Sequence, residues 1–134
     1  MIALDTNILI YACDRSDSKR QQSAIDLIAS SREGVLPWQV ACEFIAASRK
    51  LSAHGFTAVD AWSRLGEFLE LLRLVLPSPG VLHGAESLHV THRLSFWDAL
   101  ILAACVEAGV ETLYSEDLPG LLAVGELKIV NPFA

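Results

Sequence analysis

Four acids in the sequence stand where chemistry is possible: Asp5, Glu43, Asp98 and Asp117. Asp5 interrupts an apolar stretch between Leu4 and Ile8. Glu43 is a lone carboxylate among Val40, Ala41, Cys42, Phe44 and Ile45. Asp98 opens an almost wholly apolar segment, and Asp117 lies in Ser115-Glu116-Asp117. Carboxylates a few ångströms apart repel unless a cation lies between them. Mg²⁺ and Mn²⁺ are hard ions that favour carboxylate oxygens and retained water. One or two such ions can activate water and neutralise charge building on a phosphate. Acids without a cysteine or histidine ligand set therefore point to phosphodiester hydrolysis. Each acid also has a plain structural reading. Asp98 is equally readable as the closing member of a capping box with Ser95, and negative charge suits a helix N-terminus anyway. Glu43 is readable as an exposed helix residue, and Asp117 as a turn residue beside Pro119-Gly120. Asp5 is the hardest to explain away.

The surrounding chain alternates short apolar runs with longer amphipathic stretches, the pattern of βα units on a parallel sheet. Ile2-Ala3-Leu4 reads as a first strand, followed by a short helix over 7–12 and a longer one over 17–31. Ser18 and Gln21 have capping-box spacing in the second. Gly34 to Pro37 reads as a second strand, and Trp38 to Leu51 as a helix. Thr57 and Asp60 form another capping box, opening a helix to Leu72. Leu74 to Leu76 reads as the third strand, closed by Pro77-Ser78-Pro79-Gly80, with a helix over 81–93 after it. The helix opened by Ser95 is apolar nearly all round and so expected to be central; Gly109 is its C-cap. Val110 to Tyr114 and Lys128 to Val130 read as the last strands. Three of the four acids thus fall on segments that immediately follow a strand, where open parallel sheets gather their ligands.

With this order in view, Asp5-Thr6-Asn7-Ile8-Leu9 resembles the opening of PIN-domain nucleases. Glu43 resembles their second acid, and Phe96-Trp97-Asp98-Ala99-Leu100-Ile101 their third motif. Leu113-Tyr114-Ser115-Glu116-Asp117-Leu118 is similar to the fourth segment of VapC-type members, and Ile129-Val130-Asn131-Pro132-Phe133 to their ending. The resemblance implies a three-layer α/β/α sandwich around a parallel sheet of four to five strands, formed by residues 1–134 as one domain. It implies Asp5, Glu43, Asp98 and Asp117 as catalytic ligands of Mg²⁺ or Mn²⁺, supported by Thr6, Asn7 and Ser115. It further implies an endoribonuclease leaving a 5′-phosphate and a 3′-hydroxyl. Its partners would be RNA, a second copy in a homodimer and a small antitoxin covering the site, as in type II toxin–antitoxin systems.

Length and composition constrain these expectations. A chain of 134 residues fits one domain. Its 52% hydrophobic share and mean hydropathy of +0.40 are high, so the core is rich or an apolar surface awaits a partner. The longest apolar run falls far short of a membrane span. The start, with no basic segment ahead of Asp5, predicts no secretory signal. The odd count of three cysteines without paired spacing suits a reducing cytoplasm, with the thiols as small buried hydrophobes. The net charge of −6 opposes nucleic-acid binding on average, although a carboxylate site for cations lowers the total by itself. Arg15, Lys19 and Arg20 are the nearest basic candidates for an RNA contact, or else a solvated helix face. Trp38, Trp62 and Trp97 are able to stack on bases, but core or interface anchoring is the commoner fate of tryptophan, with Trp97 expected behind Asp98. His89 and His92 share a helix face with no Cys or Glu at a zinc-like spacing, which favours a surface or packing role over metal. An aspartyl-phosphate phosphatase is the rival enzyme, but Asn7 stands where its second aspartate belongs and no matching lysine follows the third strand. An inactive RNA-binding or partner-binding scaffold is the non-enzymatic alternative.

Overall fold

A computed structural model describes residues 1–118 and 123–134. The strands are short: β1 (Ile2–Leu4), β2 (Val35–Pro37), β3 (Arg73–Val75), β4 (Thr112–Tyr114), β5 (Ala123–Val124) and β6 (Leu127–Val130). They form one sheet in the order β3-β2-β1-β4-β6-β5. All neighbours are parallel except the β5–β6 pair. The expected parallel sheet is therefore present, with one antiparallel edge strand added through the turn at Gly125. That strand is two residues long, too short for a periodic signal. The expected turn at Pro119-Gly120 lies outside the described residues.

Six α-helices connect the strands: α1 (Thr6–Cys13), α2 (Ser18–Ser30), α3 (Trp38–Ala47), α4 (Ala58–Leu71), α5 (Pro79–Thr91) and α6 (Phe96–Glu107). The chain steps from β1 to β2 to β3 in one direction, then returns to the far side of β1 to lay down β4. Right-handed crossovers then place α1 to α4 on one face and α5 with α6 on the other. Contacts follow this division: α1 packs on α2 and α3, α3 on α4, and α5 on α6. The core between the layers includes Leu4, Ile8, Leu9, Leu36, Val40, Phe44, Leu102 and Leu113, all fully buried. Phe44 meets Phe68 edge to face at 5.5 Å.

Local chemistry sets the element ends. The Thr57–Asp60 capping box forms in both directions, at 3.1 and 2.9 Å. The cap of α2 is Asp17 rather than Ser18, because the Asp17 carboxylate reaches the Arg20 N–H at 3.1 Å. α3 ends at Ala47, and a 3₁₀ segment, Ser48–His54, carries the chain on to Gly55 at φ +81°. Ser48 Oγ donates to the Ile45 carbonyl at 2.8 Å, a side-chain bond of the kind that competes with the helix ladder. α5 begins earlier than expected, at Pro79, since proline suits the first helical position. β3 lies one residue earlier, at Arg73–Val75. α6 gives way to Gly109 at φ +74°, the conformation that glycine best supplies there. Gly34 is fixed by space: a Cβ there would stand 2.9 Å from both Leu72 Cδ2 and the Ser31 carbonyl.

Two expectations about side chains are corrected, and one is narrowed. Trp38, Trp62 and Trp97 are 48%, 62% and 60% exposed, so none of the three is a core anchor. Trp97, on the first turn of α6, meets Phe96 edge-on at 5.1 Å instead of packing behind Asp98. Cys13 and Cys105 are buried thiols, but Cys42 is exposed because it lies on the outer side of α3. His89, by contrast, serves packing as expected: Nδ1 lies 2.8 Å from the Leu94 carbonyl, and its ring meets Phe96.

Candidate metal centre

The sheet changes direction between β1 and β4, and the candidate site begins at that point. Leu4 pairs with Tyr114, so the next residues, Asp5 and Ser115, emerge side by side. The ladder reaches both: Asp5 N donates to the Tyr114 carbonyl and Ser115 N to the Val130 carbonyl, each at 3.0 Å. Open α/β sheets bind ligands in the crevice outside such a switch point. Here Ser115 Oγ donates across it to Asp5 Oδ2 at 2.7 Å.

Asp5 is also the N-cap of α1, its Oδ1 accepting from Thr6 N at 2.7 Å. The residue is 6% exposed. Burial pushes its carboxyl above the ordinary range. The bonds from Ser115 and Thr6 oppose that rise, and the charges of Glu43 and Asp98 add to it. Geometry agrees for Glu43, 38 positions away in the chain, because Thr6 bonds Asp5 through its N–H and Glu43 through its hydroxyl.

Each of the other acids is held differently. Glu43, on the second turn of α3, accepts from Thr6 Oγ1 at 2.8 Å through Oε1 and from Gln39 Nε2 at 3.1 Å through Oε2. Gln39 also donates to the Trp97 carbonyl at 3.0 Å. One amide thereby ties α3 to the first turn of α6, where Asp98 stands. Asp98 N donates to Ser95 Oγ at 3.1 Å. The reciprocal bond that would complete a capping box is formed by Asp60 but not by Asp98. Among the described residues no hydrogen bond holds the Asp98 carboxylate, which is half-buried and adds its charge to the field at Asp5. Asp117 is exposed and joins the group only through its backbone, its N–H donating to Ser115 Oγ at 3.2 Å.

Asn7 contributes an unsatisfied pair: neither its Oδ1 nor its Nδ2 has a hydrogen-bond partner, although both atoms are buried. Buried polar atoms without partners are rare and costly, so a water or ion-bound ligand at this spot would relieve the cost. Among the described residues, no three His, Cys, Asp or Glu side chains converge tightly enough to hold an ion by themselves. Mg²⁺ needs less, since it commonly takes one or two carboxylates and keeps several waters. The oxygen donors of Asp5, Asp98 and Glu43 fit that requirement.

Among the basic candidates, Arg15 and Lys19 are exposed. Arg20 is engaged, its Nη1 3.1 Å from Asp17 Oδ2 and its Nε 3.5 Å from Glu116 Oε2. Two residues that hold parts of the site have no signal of their own in the sequence: Gln39 bonds Glu43, and Glu116 fastens the loop of Ser115 and Asp117. Gln39 lies four positions before Glu43, the helical spacing for a side-chain pair. Glu116 was visible only as a neighbour of Asp117.

No helix among the described residues is long and apolar enough to cross a membrane. Comparison with curated proteins finds no significant match. Among solved structures, the chain is similar to Mycobacterium tuberculosis VapC20, described as a sarcin–ricin loop cleaving toxin. The TM-score is 0.71 at 20% identity, covering 87% of this chain and 90% of that one. It is also similar to VapBC2 from Rickettsia felis, bound to a DNA fragment from its promoter (TM-score 0.73, 20% identity, 98% of each chain). A toxin–antitoxin complex from Klebsiella pneumoniae gives a TM-score of 0.70 at 19% identity, again over 98% of each chain. The PIN domain family matches the sequence over residues 2–118, and by that match the chain belongs to the PIN domain family.

Proposed function

We propose that this chain is a Mg²⁺- or Mn²⁺-dependent endoribonuclease and the toxin of a type II toxin–antitoxin pair. The observation that carries this reading is Asp5, buried at the switch point, hydrogen-bonded by Ser115 and facing the charges of Glu43 and Asp98. Membership of the PIN domain family and the toxins among its structural neighbours support it. A bound divalent ion would supply an activated water and neutralise charge on the phosphate. Asp5 and Asp98 would hold the ion. Glu43, oriented by Thr6 and Gln39, would hold it or its water, and Asp117 would act from the rim through water. Ser115 and Thr6 bond the ligands Asp5 and Glu43, and Asn7 would offer its unpaired amide to water held by the ion. Arg15 and Lys19 supply positive charge for RNA phosphates on a chain whose net charge is −6. Exposed Leu82, Val90, Phe96 and Trp97 on α5 and α6 support a partner, either a second copy or an antitoxin.

The test is cleavage of structured or transfer RNA by the purified chain, freed of any partner, in Mg²⁺ or Mn²⁺. EDTA, Asp5→Ala and Asp98→Ala should each abolish it. Cleavage surviving in either mutant overturns these roles. The looseness of the acid group favours a second reading, a PIN scaffold that binds RNA or a partner without cutting. That reading gains if Mn²⁺ raises the melting temperature of wild type no more than that of Asp5→Asn.

A further inference from the structure

The loop carrying Ser115 and Asp117 is fastened from outside by residues that none of the proposed roles uses. Glu116 points away from the acids. Its Oε1 accepts from the Tyr11 hydroxyl at 2.9 Å, and its Oε2 lies 3.5 Å from Arg20 Nε. Arg20 bonds Asp17 on its other side at 3.1 Å. Its guanidinium stands 5.4 Å from the Tyr11 ring centroid and 5.9 Å from that of Phe133. Phe133 closes the cluster edge-on to Tyr11 at 4.9 Å. Four segments of the fold therefore meet on one guanidinium: α1, the start of α2, the loop after β4 and the C-terminal tail.

We infer that Arg20, with Tyr11 and Phe133, is a clamp that positions Ser115 and Asp117 through Glu116, and is not an RNA contact. Arginine suits the place because its planar group stacks on two rings while its edge pairs with two carboxylates. The two carboxylates beside it offset the positive charge that would draw a phosphate. Glu116 stands between the serine that bonds Asp5 and the aspartate whose N–H bonds that serine. A loosened Glu116 would therefore be felt at Asp5 as a misplaced hydrogen bond. Ångström-scale misplacement of a catalytic group is enough to cost a hundredfold in rate. The inference rests on the nuclease reading for its kinetic consequence but not for its structural one.

The experiment compares wild type with Arg20→Ala, Arg20→Lys and Tyr11→Phe. Amide hydrogen exchange is read at Ser115 to Asp117 and, as a control, in α6. The clamp predicts at least tenfold faster exchange at the loop in Arg20→Ala and Tyr11→Phe, with α6 unchanged and Arg20→Lys only partly restored. Unchanged exchange at the loop, or an equal rise throughout the core, overturns it. With RNA, the clamp predicts about tenfold lower kcat at a KM within about twofold of wild type. A raised KM at unchanged kcat, with a salt slope shallower by about one, would make Arg20 a phosphate contact and overturn it. Failure of wild type to cleave RNA sinks the nuclease reading alone, because the exchange measurement stands without catalysis.

Discussion

Asp5→Asn should stabilise the metal-free protein and destabilise it relative to wild type once metal is present. In the fold, asparagine keeps its Oδ1 to accept from Thr6 N, and its amide can donate to Ser115 Oγ. What it loses is charge assistance on two bonds, about 1 kcal/mol each. What it removes is a carboxylate whose burial costs several kcal/mol and which Glu43 and Asp98 repel. The raised pKa of Asp5 shows that burial and repulsion outweigh the two bonds. The net gain at neutral pH is roughly 1–2 kcal/mol, or about 4–8 °C in Tm for a chain of this size. Metal reverses the order. At a hundredfold excess over its Kd, an ion that binds only the folded wild type adds about 2.7 kcal/mol, while the asparagine variant gains little. Differential scanning fluorimetry in EDTA and in Mn²⁺ reads both arms. A variant less stable than wild type in EDTA, or an equal Mn²⁺ shift in both proteins, refutes the reasoning.

The same linkage sets a pH dependence. The folded carboxyl of Asp5 binds its proton more tightly than the ordinary group with pKa near 3.8. Metal-free stability should therefore fall as pH rises from that value through the folded pKa, and chemical denaturation across the acid range should show Asp5→Asn lacking this loss. Ser115→Ala removes a bond to a buried carboxylate, so it should cost about 1.5–3 kcal/mol in urea melts and weaken the Mn²⁺ shift; a neutral substitution would count against the Ser115–Asp5 contact. Gly34→Ala should lower Tm by several degrees, since its Cβ would meet the Ser31 carbonyl at 2.9 Å, and an unchanged Tm would mean that the β2 entrance yields freely. In native protein a thiol reagent should label Cys42 at once and Cys105 only on unfolding, because burial pushes the Cys105 thiol up to about 12.

Much of this protein is determined by local sequence. Alternating apolar runs and amphipathic stretches gave the βα order. Ser95 and Thr57 announced helix starts that the hydrogen bonds bear out, and Asp5 stood out as a carboxylate in an apolar stretch. These features are legible because capping, periodicity and apolar runs depend on residues a few positions apart. Tertiary structure alone decided the rest. Only the strand order β3-β2-β1-β4 brings Ser115 beside Asp5, 110 positions away, and turns Glu43 and Asp98 toward it. Only packing distinguishes Asp98, whose box with Ser95 stays half open, from Asp60, whose box closes. Arg20 reads in sequence as one of several free basic residues, and it becomes a junction through Glu116 and Phe133, both distant in the chain. Charge and spacing announce what a side chain is able to do, whereas its actual partners depend on contacts between segments that no local pattern encodes.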